Sequence, residues 1–239
     1  MPVHVMALLR RRPDMSIPDF LDYWQNQHLV ETGATKLEKL PYFWYRQNHV
    51  LIDHPATQLA TSPYDGWAEF YLEDLERWHA MITSPRVAAS EADEVRFLAA
   101  APQWFAAEDL LLRDSGSPRE CIKLLRLFRR RFDLRVPQFR THWAETYGPA
   151  LLAEIPTIVR YVQASLVPSA YFDAQPRWDG ADIIWLDIGT KIDASLGDRL
   201  GRGIGAFVDE DPPSIVAREV LPEFIRAIVE ASEPADIAT

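Results

Sequence analysis

Apolar positions along the chain recur in two spacings. Short continuous or alternating runs mark strands, and apolar residues three and four apart mark one face of a helix. His4 to Leu9 is a short apolar run and predicts a strand. A basic loop follows, then a helix from near Ser16, with Pro18 in its first turn, where a missing N–H costs little. Ile17, Phe20, Leu21, Trp24 and His28 share one face of that helix. After Pro41 a strand is predicted from about Tyr42 to Leu51, and Asp65-Gly66 introduces another, Trp67 to Leu72. Helical patterns at Leu75–Ile82 and Arg86–Leu98, broken at Ser84-Pro85, precede a last strand at Glu108–Arg113.

The whole order then returns. Leu9–Trp24 (LRRRPDMSIPDFLDYW) aligns without gaps on Phe128–Trp143 (FRRRFDLRVPQFRTHW), at an offset of 119. Arg10-Arg11-Arg12 falls on Arg129-Arg130-Arg131, Pro18 on Pro137, Phe20 on Phe139 and Trp24 on Trp143. Later landmarks keep their order with small shifts: Gln47 and Gln163, Asp65-Gly66 and Asp179-Gly180, Phe97 and Phe207. The second copy predicts strands at Ile122–Phe128, Val159–Val167, Ala181–Leu186 and about Ile215–Val220. Its helix shows Val136, Phe139, Trp143, Tyr147 and Leu151 on one face, and a closing helix, Leu221–Ala231, has no counterpart in copy one. Asp114–Pro118 is a short polar join. Each copy reads β-α-β-β-α-β, a ferredoxin-like unit with one sheet face left to cover. The expected fold class is therefore α+β: two tandem ferredoxin-like units, residues 1–115 and 118–239, packed sheet to sheet as an intrachain α/β barrel.

Composition narrows the function classes. The 239 residues are 48% hydrophobic and 25% charged, enough for a packed core, so disorder is excluded over most of the length. The formal net charge of −10 repels phosphate backbones and sets nucleic acid aside as a partner. A single cysteine, Cys121, excludes an intrachain disulfide and a cysteine-based zinc site. The start of the chain does not read as a signal peptide and no apolar run reaches membrane-spanning length, so the expected compartment is the cytoplasm, with no membrane partner.

Arg-Arg-x-Asp-x-Ser before a helix carrying Phe20, Trp24 and His28, then Gln47-Asn48-His49-Val50, Asp65-Gly66 opening a strand and Ser84-Pro85 ahead of a helix, together resemble the EthD family of the dimeric α/β barrel superfamily. The resemblance covers about residues 3–113 well and about 120–222 less well. It implies that the two halves form, within one chain, the barrel that single-domain relatives form as homodimers. It also implies chemistry of a broad kind, since the superfamily includes cofactor-free cyclases and dehydratases, lactone isomerases, quinone-forming monooxygenases and haem-degrading enzymes. Fold does not choose among them.

Candidate chemistry concentrates in copy one. His28 follows Trp24 by four residues on the inward stripe, and an imidazole aimed into an apolar pocket is a poised acid or base. The competing reading is a core histidine bonded to a backbone carbonyl. Copy two has Tyr147 there, so copy one is expected to be the active half and copy two a scaffold. His49 is the second catalytic candidate. On its strand Tyr45, Gln47 and His49 share one face, Arg46 and Asn48 the other, and alternation alone does not say which face meets the first helix. Glu69 stands between apolar neighbours and reads either as a buried general acid or as an ion-pair partner of Arg46. Tyr23, Trp24, Tyr64 and Trp67 complete an expected aromatic-lined pocket for a flat ligand, with Arg46, Asn48 and Glu69 as its polar contacts. The Arg triplets read as solvated loops paired to Asp14 and Asp133. Clustered metal ligands, a glycine-rich phosphate loop and a nucleophile elbow are absent from the pattern, so no metal and no cofactor is expected.

The expected function is a cofactor-independent enzyme in which a histidine acid/base dehydrates, cyclises or isomerises an aromatic, polyketide-like or lactone substrate. The alternatives are a cofactorless monooxygenase of a phenol and a non-catalytic protein that binds a hydrophobic ligand or haem. The expected partner is that small molecule; self-association of the two-copy chain is left open.

Overall fold

The computed structural model describes residues 2–28, 44–115, 121–172 and 175–220. The expected closing helix at Leu221–Ala231, the start of the Tyr42 strand and Gly116–Pro118 lie outside the described residues.

Eight strands form: β1 Val3–Leu9, β2 Trp44–Val50, β3 Gly66–Leu72, β4 Gln103–Asp114, β5 Cys121–Phe128, β6 Ile158–Leu166, β7 Gly180–Asp187 and β8 Ser214–Val220. Hydrogen-bonded neighbours follow the order β1-β3-β2-β8-β5-β7-β6-β4 and close on themselves, an eight-stranded barrel in a mixed α/β fold. The expected α/β barrel is thus met in its coarser part, a closed eight-stranded barrel in a mixed α/β fold. Among the described residues, closure pairs the strand edges that an open sheet would expose.

The described residues condense into two compact units that interleave in sequence. One holds those up to His49, Tyr64–Trp104 and Glu219–Val220; the other holds Val50–Pro63 and Phe105–Arg218. In the first unit β3 pairs antiparallel with both β1 and β2. The first helix, α1, runs Ile17–Asp22, with the Ser16 side chain accepting from the Asp19 N–H and Pro18 in its first turn. It widens into a π turn over Tyr23–His28. Helices α2 (Leu75–Ile82) and α3 (Pro85–Glu94) follow, each capped by the side chain before it, Asp74 and Ser84. Phe20, Trp24, Tyr45, Phe97 and Leu98 pack together against Ala7, Leu9 and Ala68. In the second unit β5 pairs with β7 and β8, and β7 with β6. Helix α4 (Val136–His142) again widens into a π turn, Trp143–Tyr147, and runs on as α5 (Gly148–Glu154); α6 spans Ala194–Gly201.

The repeated motifs have local physical reasons. Asp65 receives the Arg11 backbone N–H at 3.0 Å and its Nε at 3.2 Å. Asp179 receives the Arg130 N–H at 3.0 Å and lies 3.0 Å from its Nε. The middle arginine of each triplet therefore ties the end of one strand to the start of another. The third arginine pairs with Asp14 or Asp133 on the surface. The glycine after each aspartate is needed for space. A Cβ on Gly66 would stand 2.8 Å from the Asn48 carbonyl and 3.0 Å from the Trp24 ring; on Gly180 it would stand 2.5 Å from Trp143.

Candidate functional site

Register and packing decide the faces of β2. Tyr45 packs with Phe20 and Trp24. Gln47 donates to the Trp24 carbonyl at 3.2 Å, and His49 stacks on the Trp24 ring, centroids 5.1 Å apart. The Tyr45/Gln47/His49 face therefore meets the first helix. Arg46 lies opposite Glu69, and Asn48 opposite Trp67, on the other face. There Trp67 Nε1 donates to Glu69 at 3.1 Å, Asn48 donates to the Trp67 carbonyl at 3.2 Å, and His4 lies 3.7 Å from the Glu69 carboxylate. Arg46 pairs with Glu219 at 3.3 Å, with Glu69 near enough to favour its charge. The tyrosine at 64 is bonded to Gln103. The expected single pocket is thus divided. Tyr23, Trp24, His28 and His49 lie on the helix side of the sheet, while Arg46, Asn48, Trp67 and Glu69 lie on its opposite side.

His28 closes the π turn and is buried. Its Nδ1 is 2.8 Å from Asp93 Oδ2 on α3, its ring packs against Phe97, and Ser90 Oγ lies 3.4 Å from Nε2. Tyr23 donates to the other Asp93 oxygen at 2.8 Å, and Arg96 stands 3.5 Å from it. Ser90 in turn donates to Glu94 at 3.1 Å. An ionised carboxylate only accepts, so Asp93 places the proton of a neutral imidazole on Nδ1 and leaves Nε2 as the base. Burial lowers the His28 pKa, and Asp93 pulls it partly back. Burial also lifts Glu94 to about 6, with Ser90 opposing and Glu91 and Asp93 adding to the rise. His28 and His49 have different partners: His28 sits with Asp93 and Phe97, His49 with Gln47 at 2.8 Å and Trp24.

The second repeat keeps the same frame with other chemistry. Gln163 donates to the Trp143 carbonyl and to Tyr161 Oη, both at 2.9 Å, as Gln47 does to Trp24 and Tyr45. The Ala7↔Ala68 pair of the β1–β3 ladder has its counterpart in Arg126↔Asp182 of the β5–β7 ladder. Arg126 donates to Tyr147 Oη at 2.5 Å and lies 3.7 Å from Asp182 Oδ2. Asp182 Oδ1 accepts from Trp143 Nε1 at 2.9 Å and from Tyr161 at 2.6 Å. Tyr147 donates to the Leu200 carbonyl. Burial lifts Asp182 to about 6, against the pull of Arg126, Tyr161 and Trp143, and lifts Tyr147 to about 12. A cavity of about 670 Å³, lined by residues of this unit alone, reaches Arg126, and its walls carry no aromatic residue.

Residues 12–101 match the EthD domain. No curated protein matches the chain. An anthrone oxidase-like protein of known structure is 12% identical, covers 92% of this chain and 91% of its own, and has a TM-score of 0.58. A mutant chlorite dismutase from Candidatus Nitrospira defluvii is 8% identical, with 95% of each chain covered and a TM-score of 0.58. A monooxygenase-like protein from Fusobacterium nucleatum is 6% identical over 92% of this chain and 93% of its own, at a TM-score of 0.52. Identities this low establish the shared fold alone. The EthD match holds α1, its π turn, Gln47, Asp65-Gly66 and Asp93. Among the described residues no helix is long and apolar enough to cross a membrane, and no group of three or more metal-ligating side chains comes together.

Sequence spacing reached His28 but not Asp93 or Ser90, whose helix returns 62 or more residues later. Nor did it single out Arg126 and Asp182. A signal was present, since each is a charge set between apolar residues within a strand run, CIKLLRLF and GADIIWLD.

Proposed function

We propose that the chain is an enzyme that moves protons at carbon or oxygen of an aromatic, polyketide-like or lactone substrate, with His28 as the acid/base and no cofactor required. The observation that carries this reading is the buried His28–Asp93 pair at 2.8 Å. Asp93 holds the tautomer and favours the imidazolium once a proton is taken, and burial keeps the resting imidazole neutral at pH 7. Phe97 and Tyr23 give the pair an apolar flank. His49, bonded to Gln47 and stacked on Trp24, is the neighbouring polar group on the same side of the sheet and would orient substrate. Arg46, Asn48, Trp67 and Glu69, on the opposite face, would act through the strand's position rather than by touching the same substrate. We further read the repeats, residues 1–115 and 118–239, as ferredoxin-like units, supported by the element order β-α-β-β-α-β in each, and we place the protein in the cytoplasm.

A second reading is a cofactorless monooxygenase of a phenolic substrate, which the fold shared with the anthrone oxidase-like protein supports. The same base would remove a proton from an activated methylene. Dioxygen would accept two electrons from the carbanion, and loss of water would leave a carbonyl, so that CH₂ and O₂ give C=O and H₂O. Anthrone serves as one probe for both readings. Under nitrogen in D₂O, the protein is expected to speed exchange of the anthrone methylene, followed by NMR. The exchange should fall by roughly 10²–10⁴-fold in His28→Ala, the range of a single general acid or base. Oxygen uptake with anthraquinone formation in air selects the monooxygenase. Unchanged exchange in folded His28→Ala removes His28 from the mechanism in both.

A further inference from the structure

The second repeat buries a charged pair where the first has two alanines. Counted back from the glycine opening each paired strand, Ala7↔Ala68 and Arg126↔Asp182 occupy equal rungs. Both charged residues are almost wholly buried, at 3% and 0% exposure. A buried ion pair stabilises no better than apolar side chains of the same size and often less well, so the fold alone gives no reason for it. Asp182 Oδ2 also lacks a hydrogen-bond partner, with only Arg126 facing it at 3.7 Å. Arg126 lines the cavity of about 670 Å³, and Leu59, Leu124 and Leu200 are among its apolar walls.

We propose that this cavity of the second repeat is a binding site for a flat organic monoanion, an aromatic carboxylate, whose anionic oxygens accept hydrogen bonds from Arg126 while its ring lies against Leu59, Leu124 and Leu200. The volume suits a drug-sized aromatic ligand. The charge pattern favours one anionic group on such a body. Arg126 is the buried cation, whereas Asp198 and Asp211, both exposed, line the same cavity and disfavour polyanions such as phosphate. Arg202, also lining it, is paired to Glu154 at 2.9 Å. The site is independent of His28, and copy two is then a ligand-binding half.

The test is calorimetric titration of the full chain with 2-naphthoate, naphthalene-2-methanol and inorganic phosphate. Naphthoate should bind, the neutral alcohol roughly ten- to a hundredfold more weakly, as for loss of a hydrogen bond to a charged group, and phosphate not measurably. The double variant Arg126→Met/Asp182→Asn removes both charges and leaves neither stranded; it should hold its melting temperature and lose the preference for the anion. Gly197→Leu fills the cavity from α6. A Cβ at Gly197 meets only Leu59 Cδ2, at 3.9 Å, and the change favours helix. It should abolish binding while the fold holds. His28→Ala should bind naphthoate as the parent does. The proposal is overturned if the parent binds no naphthoate, if acid and alcohol bind alike, or if binding survives Gly197→Leu. Loss in His28→Ala with survival in Gly197→Leu would place the probe in the first repeat instead.

Discussion

His28 and Asp182 show how one environment, a buried site between sheet and helix, moves two titrations in opposite senses. Burial lowers His28 and Asp93 raises it again. Asp93→Asn removes the part that raises it, so the acid limb of any His28-dependent rate profile should shift to lower pH, with a lower plateau as the tautomer is no longer held. A pH–rate profile checks this, and a limb that stays in place or rises would make Asp93 a merely structural partner. Asp182 is a carboxylate lifted to about 6 in the fold, against an ordinary value near ~3.9 in the unfolded chain. A raised carboxylate stabilises fully below its unfolded value and loses that contribution as pH rises through its folded value. The parent protein should therefore lose stability relative to Asp182→Asn between about pH 4 and 7, seen in paired melting curves; a constant difference would mean that Asp182 titrates normally. At this scale the sequence spoke clearly through spacing. Trp24 and His28 matched Trp143 and Tyr147, and the structure places both pairs in equivalent π turns. It was silent on Asp93, because a partner on a distant helix leaves no mark in local periodicity.

At the scale of elements, the repeated Asp-Gly explains itself by packing. Both glycines open a strand in extended backbone, and among the described residues the one glycine with positive φ is Gly203. What each glycine provides is room for a tryptophan ring from the first helix of its repeat. Trp143 is fully buried and donates to Asp182, so it cannot give way. Gly180→Ala should accordingly destabilise by about 1–3 kcal/mol, the usual cost of overpacking, measured by denaturant titration. A near-neutral result would show that Trp143 has a second place to go. The element order was legible from the apolar runs because these strands are buried along nearly their whole length: β1 and β7 are almost continuously apolar and buried. Bounds were less so. The fourth strand runs Gln103–Asp114 rather than Glu108–Arg113; its added residues Trp104–Ala107 are all apolar, with Phe105 and Ala107 buried and Trp104 exposed, so the sequence there shows no alternation of apolar and polar positions.

At the scale of the whole chain, the repeat in sequence and the units in space have different boundaries. Val50–Pro63 and Phe105–Asp114 belong by sequence to the first repeat, yet they build the unit made of residues up to Arg218. The physical ties are explicit. The Leu51 N–H donates to the Val216 carbonyl, and the Thr61 and Ser62 N–H groups both donate to Ser214. Strand β4 pairs with β6 from Ala107↔Leu166 to Asp114↔Arg160. Ala56, fully buried, sits in the same core as Trp143 and Leu196. None of this is visible to a repeat alignment, which matches residues to residues and is blind to which copy supplies a strand's partner. A fragment of residues 1–115 keeps the EthD match but loses every one of these partners. It would leave the β4 ladder and the Leu51 and Thr61 amides unpaired, and an exposed long strand edge templates association with other chains. The fragment should therefore fail to form a well-dispersed monomer, appearing instead as aggregate or self-associated species by sedimentation and NMR. Adding the separately made remainder, residues 116–239, should recover a folded complex. A monomeric fragment with sharp amide dispersion would show that the first repeat can rebuild its edges alone, and that the interleaving seen here contributes little to its stability.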